Sequence, residues 1–293
     1  MFPYQVAIFV EILGYQIFDC GGIIINENFF LTPAHCCDDF QTRTVKIQAG
    51  STRLEDPDAV YIPVAETRSH PLYVGGEGNS SCHDICVVKL AESIPMGNPN
   101  IAIANFPTSS DTNYDGEIAV VSGWGLHDNY SETISQDLQY ASIPLLSSQT
   151  CRQLFNAESE LFCEKDICTG DQVGSNAPTV CVGDSGGPLT LEDTVIGIVS
   201  RNDGPMCMGG TPAIYTDISK YMEWVHETAK REGPPVRVSG QPPDIQFTVA
   251  HPPAVKRRSL QLPARAVLGL SNPQPTKPRS GHLIVGAPQQ LGD

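Results

Sequence analysis

The sequence predicts an all-β fold that is closed by one helix near residue 230. Short apolar runs recur along residues 1–231 with turn-forming residues between them, and no long crossover helices separate them. This pattern favours a sandwich or a pair of barrels over a parallel sheet. The 293 residues are 40% hydrophobic and can bury a sizeable core. No apolar run approaches the roughly eighteen residues of a membrane span.

The predicted elements follow from residue type and spacing. The closing helix is predicted over Asp217–Lys230, because Ile218, Tyr221, Met222 and Val225 recur at helical spacing and Asp217 or Ser219 can cap it. Strands are predicted wherever β-branched and apolar residues cluster between turn signals. These are Gln5–Phe9, Gly22–Ile25, Thr44–Gln48, Ala59–Val64, Ile85–Leu90, Ile118–Val121, Thr194–Ser200 and Ala213–Tyr215.

Composition changes near residue 232. Residues 1–231 hold 11 basic and 30 acidic side chains, whereas residues 232–293 hold 7 and 3, together with 11 of the 24 prolines. We therefore expect a folded acidic domain over 1–231 and an extended, largely disordered Pro-rich tail over 232–293. The net charge of the whole chain, -15, argues against nucleic acid as a partner.

The ten cysteines lie between positions 20 and 207, which favours an oxidising compartment and therefore secretion. Asn79 and Asn129 each begin an acceptor sequence for N-glycosylation, which agrees with that address. The chain starts Met1-Phe2-Pro3-Tyr4-Gln5 without a basic and apolar leader. We expect a secreted, extracellular protein whose signal peptide is absent from this chain.

Three short stretches carry residues suited to nucleophilic chemistry. Glycines flank Ser185 in a turn that can expose its hydroxyl and aim backbone N–H groups at one point, and a serine needs a base to act as a nucleophile. His35, after an apolar strand, can supply that base, and Asp84 can orient it. Each residue alone has an ordinary alternative, namely a loop serine, a core histidine or a surface aspartate.

In combination the stretches resemble the chymotrypsin–trypsin family of serine proteases. The sequences LTPAHC (31–36), DICVVKL (84–90) and GDSGGP (183–188) occur in that family's order, and the likeness extends over about residues 3–230. It implies two antiparallel Greek-key β-barrels, at about 1–105 and 106–231, followed by the helix, with the active site in the cleft between the barrels. The implied activity is that of a serine endopeptidase without cofactor or metal.

The resemblance assigns roles to individual residues. It implies that Ser185 attacks the peptide carbonyl, that His35 accepts and returns the proton, and that Asp84 orients His35. The N–H groups of Gly183 and Ser185 would form the oxyanion hole. The implied partners are polypeptide substrates and protein protease inhibitors, and the expected state is a monomer.

The resemblance also places the specificity pocket. Thr179 stands at its floor without a charge, Ala213 replaces a usual glycine in its wall, and Arg201 and Asn202 stand where Trp and Gly are commoner, after Ser200. A cation desolvated in this pocket would lack a counter-ion. We therefore expect cleavage after small or medium uncharged residues, as in elastase or chymotrypsin, rather than after Lys or Arg.

Disulfide pairs are implied by the same likeness. Three would be shared with the family and two more would brace the His and Asp loops: Cys20–Cys36, Cys151–Cys168, Cys181–Cys207, Cys37–Cys86 and Cys82–Cys163. The alternative for part of this set is a zinc cluster on Cys82-His83-Asp84-Ile85-Cys86, which is disfavoured because thiolate sites prefer reducing compartments.

Activation is the last implied feature. In the family a freed N-terminal amine pairs with the aspartate before the nucleophile, which is Asp184 here, yet no Ile-Val-Gly-Gly-like start precedes Phe2. We expect Asp184 to turn away and leave the oxyanion hole poorly formed unless that amine is supplied. The alternative function is therefore a zymogen-like or non-catalytic homologue that acts as a binding module.

Overall fold

The fold is described here from a computed structural model. It describes residues 2–38, 40, 42–75, 82–127, 133–155, 162–170, 178–202 and 212–230. All of them belong to the first of the two units into which the chain divides, residues 1–243. Asn79, Asn129, Cys207 and the Pro-rich tail at 232–293 lie outside the described residues. No helix among the described residues is long and apolar enough to cross a membrane.

Six antiparallel strands close the first barrel in the order β1-β2-β3-β6-β5-β4. They are β1 (Gln5–Ile12), β2 (Tyr15–Asn26), β3 (Phe29–Thr32), β4 (Val45–Ala49), β5 (Val60–Ser69) and β6 (Cys86–Leu90). Alternate residues such as Val6, Ile8 and Val10 of β1 point inward and form the core of this barrel with Ile47 and Val88.

The second barrel closes in the order β10-β11-β12-β9-β8-β7. Its strands are β7 (Ile118–Gly123), β8 (Gln139–Leu146), β9 (Asp166–Thr169), β10 (Pro188–Leu191), β11 (Thr194–Asn202) and β12 (Ala213–Asp217). Three helices accompany the barrels in the described part of the chain: α1 (Ala34–Cys37), α2 (Ser148–Leu154) and α3 (Met222–Lys230). The predicted all-β fold with two antiparallel barrels and a C-terminal helix is confirmed.

Four strands, β3, β8, β9 and β10, lie outside the eight predicted ranges, although β3 agrees with the apolar strand expected before His35. Strands β9 and β10 have only four residues each, which is too short for a period-of-two pattern to show. Strand β8 contains Pro144 and exposes much of its first half, with Tyr140 at 73% exposure, so it lacks a continuous apolar run.

The closing helix differs from the prediction at its start. Residues Ile218–Lys220 form a 3₁₀ turn, and α3 begins only at Met222. The Asp217 carboxylate accepts the N–H of Ser219 at 3.0 Å, which caps the turn. The predicted single helix over Asp217–Lys230 is therefore two short elements.

Apolar side chains from both barrels and from α3 meet in one cluster between the barrels. Ile23 and Ile85 come from the first barrel, Ile198 from the second, and Val225 from α3. Hydrogen bonds also join the two barrels, since the Gln5 side chain and Ser122 exchange hydrogen bonds at 3.0 and 2.6 Å. The interface fixes the position of β3 and β6 relative to β10 and β11.

Candidate active site

His35 lies in α1, directly after β3. Pro33 is the N-cap of this short helix with φ -61°, a value that proline adopts without strain. Cys36 is joined to Cys20 and Cys37 to Cys86, so two disulfides hold the helix against β2 and β6. The imidazole is thereby fixed at the edge of the first barrel with its side chain 37% exposed.

Asp84 lies in the turn before β6 and is only 2% exposed. The preceding residue, His83, has a left-handed backbone with φ 60°, which is uncommon for a residue other than glycine. The ring nitrogen of His83 is 3.1 Å from the Tyr221 hydroxyl, and Cys82 is joined to Cys163 of the second barrel. These contacts hold the turn that carries Asp84.

The Asp84 carboxylate makes two hydrogen bonds to His35. Its Oδ2 lies 2.8 Å from Nδ1 of the ring, and its Oδ1 accepts the backbone N–H of His35 at 2.9 Å. Its Oδ2 also accepts the Ser200 hydroxyl at 2.6 Å, and its backbone carbonyl accepts the Thr216 hydroxyl at 2.8 Å. The imidazole is therefore held at a fixed orientation, with Nε2 left for other chemistry.

This geometry shifts the pKa of both partners in opposite directions. Burial would lower the pKa of His35, but the hydrogen bond and charge of Asp84, with the charges of Asp19 and Asp38, outweigh it and raise the pKa. Burial would raise the pKa of Asp84, but the hydrogen bond and charge of His35 and the bond from Ser200 outweigh it and lower the pKa. The pair therefore favours an imidazolium beside a carboxylate.

Ser185 lies in the tight turn before β10. Gly186 adopts φ +85°, and a Cβ at this position would collide with the carbonyl group of Gly21, so only glycine fits. The Ser185 carbonyl accepts the N–H of Gly21 at 2.7 Å, and Gly21 follows Cys20, whose disulfide partner is the neighbour of His35. Ser185 and His35 are thus attached to the same segment of β2.

The structure brings Ser185 to this segment without a hydrogen bond to the base. Among the described residues, no hydrogen bond joins the Ser185 hydroxyl to the His35 ring. The N–H groups of Gly183 and Ser185 donate to no protein acceptor within the same ranges. Gly183 adopts φ +94°, which glycine permits. Two donors beside the serine hydroxyl are therefore available to an oxygen atom of a bound molecule.

Asp184 faces a cavity of about 190 Å³. Its two carboxylate oxygens accept the N–H groups of Gly125 and Cys181, each at 2.8 Å, and no ion pair of Asp184 occurs among the described residues. Burial raises the pKa of Asp184 to about 6, and the two N–H groups oppose that rise. The carboxylate is thus held in place by backbone donors alone in the described part of the chain.

The pocket residues divide between the cavity wall and the barrel interior. Thr179 lines the cavity beside Asp184, whereas Ala213 is fully buried in the core of the second barrel. The Asn202 side chain donates to the Val180 carbonyl at 3.1 Å and so connects two segments of this region. Arg201 turns inward, where its guanidinium contacts Asp166 and Ser200.

Four disulfides lie wholly within the described residues: Cys20–Cys36, Cys37–Cys86, Cys82–Cys163 and Cys151–Cys168. Cys181 is also disulfide-bonded, and Cys207 lies outside the described residues. Because Cys82 and Cys86 are both in disulfides, neither offers the thiolate that the alternative zinc cluster requires. Disulfides of this number fit an oxidising compartment.

Sequence reasoning missed one polar residue of this region. Asp166 lies at the start of β9 and accepts Nη2 of Arg201 at 2.7 Å, 35 positions away along the chain. Burial raises the pKa of Asp166 to about 6, against the opposing charge of Arg201. An acidic residue in a short, unpredicted strand carries no local signal that would identify its partner.

Comparison with known proteins decides the family, because the trypsin family model matches residues 1–225. The chain belongs to the trypsin family of serine proteases. Human kallikrein-8 is 28% identical over 79% of this chain and 83% of its own length, and trypsin alpha of Drosophila erecta is 30% identical over 78% and 83%. Among solved structures, neuropsin, a serine protease expressed in the limbic system of mouse brain, aligns with a TM-score of 0.66 and 26% identity over 78% of this chain and 95% of its own. Membership of the trypsin family supports serine endopeptidase activity.

The raised pKa of Asp184 predicts a specific pH dependence of stability. The folded pKa of about 6 exceeds the ordinary value of 3.8, so the unfolded state is the stronger acid. The stabilising contribution is complete below about pH 3.8 and is lost as the pH rises through about 6. Relative to Asp184→Asn, the native protein should gain about 1 kcal/mol of unfolding free energy between about pH 7 and pH 5.

Denaturant titration at several pH values measures this difference. The matched control is Asp115→Asn, an exposed turn residue, which should keep the native pH dependence. If Asp184→Asn and the native chain change in parallel, the carboxylate is not the titrating group.

Proposed function

We propose that this chain is a serine endopeptidase in which Ser185 is the nucleophile, His35 the general base and Asp84 the orienting carboxylate. The observation that carries the proposal is the doubly hydrogen-bonded His35–Asp84 pair, with bonds of 2.8 and 2.9 Å, beside the Ser185 turn. Family membership supports the reaction, because the matched region includes all three residues.

The proposed reaction follows from the fixed tautomer of His35. With Nδ1 directed at Asp84, Nε2 is free to take the proton of the Ser185 hydroxyl as that oxygen attacks the peptide carbonyl. The imidazolium then gives the proton to the leaving amine, and an acyl-enzyme remains on Ser185. In deacylation His35 takes a proton from the water that attacks the acyl carbonyl and then gives it to the Ser185 oxygen. The buried Asp84 carboxylate stabilises the imidazolium in both steps.

The oxygen of the tetrahedral intermediate needs donors that are already in place. The N–H groups of Gly183 and Ser185, which donate to no described protein acceptor, are suited to this role. Preorganised donors of this kind stabilise developing charge more than water does. The turn around Gly186 supports them. In this turn the Ser185 carbonyl accepts the N–H of Gly21, and the Gly186 N–H donates to the Val199 carbonyl.

Two observations support a preference for small or medium uncharged side chains before the cut bond. Thr179, which the family resemblance places at the pocket floor, carries no charge, so a Lys or Arg side chain would find no counter-ion at that position. The Asn202 amide donates to the Val180 carbonyl at 3.1 Å, and in the proposed pocket this bond would limit the room for a large side chain.

Asp184 is the proposed partner of a free amine. The carboxylate faces the 190 Å³ cavity, and a primary ammonium group there would relieve the charge burial that raises its pKa. In this account the amine stabilises the Ser185 turn. The dipeptide Ile-Val should therefore remove the pH dependence predicted for Asp184, whereas its N-acetylated form should leave the dependence unchanged.

The remaining elements of the proposal concern the setting of the protein. The disulfides favour a secreted protein, polypeptides are the proposed substrates, and protein protease inhibitors and a monomeric state are proposed with them.

One observation favours a non-catalytic binding module instead, namely the missing hydrogen bond between Ser185 and His35 among the described residues. Such bonds often tighten only when substrate binds, so we place catalysis first.

Replacement of the nucleophile tests the catalytic role. Ser185→Ala should lower peptide hydrolysis on the order of 10⁶-fold, because the acyl-enzyme can no longer form. The measurement is turnover of a fluorogenic peptide library with Ile-Val supplied to every variant, and Ser93→Ala, an exposed serine after β6, is the control that keeps full activity. Equal activity of Ser185→Ala and the native chain contradicts the assignment, and no activity in either favours the binding module.

The same library tests specificity. Cleavage should occur after residues such as Ala, Val or Leu, and Asn202→Gly should raise kcat/KM for Phe relative to Ala on the order of tenfold, because the contact with Val180 is lost. A native profile dominated by Lys or Arg contradicts the proposed pocket. Asn100→Gly, an exposed loop change, serves as the control and should leave the profile unchanged.

A further inference from the structure

A chain of buried polar groups continues from the His35–Asp84 pair into the second barrel. The Ser200 hydroxyl donates to Oδ2 of Asp84 at 2.6 Å, and Nη1 of Arg201 donates to that hydroxyl at 3.0 Å. Nη2 of Arg201 in turn donates to Oδ2 of Asp166 at 2.7 Å. The chain therefore connects two carboxylates, one from each barrel, through a serine and an arginine.

Hydrogen-bond direction in this chain is fixed by the donor inventory. A guanidinium has only donors, and a carboxylate has only acceptors. Ser200 must therefore accept from Arg201 and use its single proton toward Asp84. Without the guanidinium, only the Asp84 carboxylate would hold the hydroxyl in this direction.

Asp166 holds the guanidinium where it can reach Ser200. The side chains of Arg201 and Asp166 are 14% and 1% exposed, and Oδ2 of Asp166 also accepts the N–H of Cys163 at 3.0 Å. A charge at this depth is tolerated only when it is paired. Cys163 is joined to Cys82, two residues before Asp84, so the same group of residues supports the Asp84 turn from both sides.

We propose that Arg201 is a positioning residue that fixes the Ser200 hydroxyl as a donor to Asp84 and thereby keeps the carboxylate directed at His35. This inference rests on the proposed function only where it treats His35 as the general base. Arg201 touches neither a reacting atom nor His35, and its effect passes through Ser200.

Several charged and titratable groups face this pair and set the background of the test. Asp19, Asp38 and Asp84 act on His35, and Tyr73, Tyr221 and Asp166 interact with Asp84. Loss of the guanidinium and of the Ser200 bond leaves Asp84 less stabilised as an anion and therefore more basic. His35 should then hold its proton to higher pH.

The experiment follows the low-field proton resonance of the His35 Nδ1–H group by NMR as the pH is changed. His35→Ala assigns the signal by its loss. Arg201→Met should raise the titration midpoint of His35 by about one unit, whereas Arg201→Gln, equally uncharged but able to donate to Ser200, should raise it less. If Arg201 has a merely structural role, its replacement would broaden the resonance or destabilise the protein, and the midpoint would not rise in the order native, Arg201→Gln, Arg201→Met.

A double-substitution cycle isolates the route through Ser200. In the Ser200→Ala background, Arg201→Met should shift the midpoint by at most about half of its effect in the native background. Equal shifts in the two backgrounds, or no shift in either, overturn the proposal. If Arg201→Met alone does not fold because Asp166 is left unpaired, the pair Arg201→Met and Asp166→Asn is compared with Asp166→Asn.

The readout separates this inference from the proposed function. The resonance requires the His35–Asp84 pair but no turnover. A chain that shows the predicted shifts and hydrolyses no peptide would contradict the protease assignment and support the role of Arg201. An active chain whose His35 midpoint does not shift would support the protease assignment and contradict the role of Arg201. In an active chain the acid limb of kcat/KM should move with the NMR midpoint.

Discussion

Burial of the Asp84 carboxylate is the constraint on which the rest of the site depends. An anion removed from water costs several kcal/mol unless donors replace the lost solvation. Here the donors are the backbone and ring N–H groups of His35 and the hydroxyl of Ser200. Because His35 belongs to the first barrel and Ser200 to the second, the carboxylate is satisfied only when the two barrels are in contact. Assembly of the site and packing of the interface are therefore one event.

The crosslinks and charges around α1 serve the same end. Disulfides join α1 to β2 and β6, and Cys82–Cys163 bridges the barrels two residues before Asp84. The charges of Asp19, Asp38 and Asp84 act together to raise the pKa of His35. The base is consequently protonated over a wider range of acidic pH than an isolated histidine. Its proton-accepting form grows as the pH rises through the raised pKa.

The sequence predicts the parts of this protein that local pattern specifies, and misses those set by distant contacts. His35, Asp84 and Ser185 lie in stretches whose order identifies the family, and the apolar runs of β1, β6 and β11 are recognisable as strands from the sequence. Strands β3, β8, β9 and β10 lie outside the predicted ranges because they are short or half exposed. The contact of Arg201 with Asp166 is also not predictable from the sequence, since only the pairing of β9 and β11 with opposite edges of β12 brings them near each other.

The most direct test of the account is the reaction of Ser185 with a fluorophosphonate, followed by intact mass and peptide mapping. The reagent is slow to modify an ordinary serine and requires the His35–Asp84 pair to remove the proton. The account predicts one adduct, on Ser185, and loss of most of the labelling rate in Asp84→Asn, with Ile-Val supplied to both. Equal labelling of the native chain and Asp84→Asn, or a principal adduct on another serine, would contradict it.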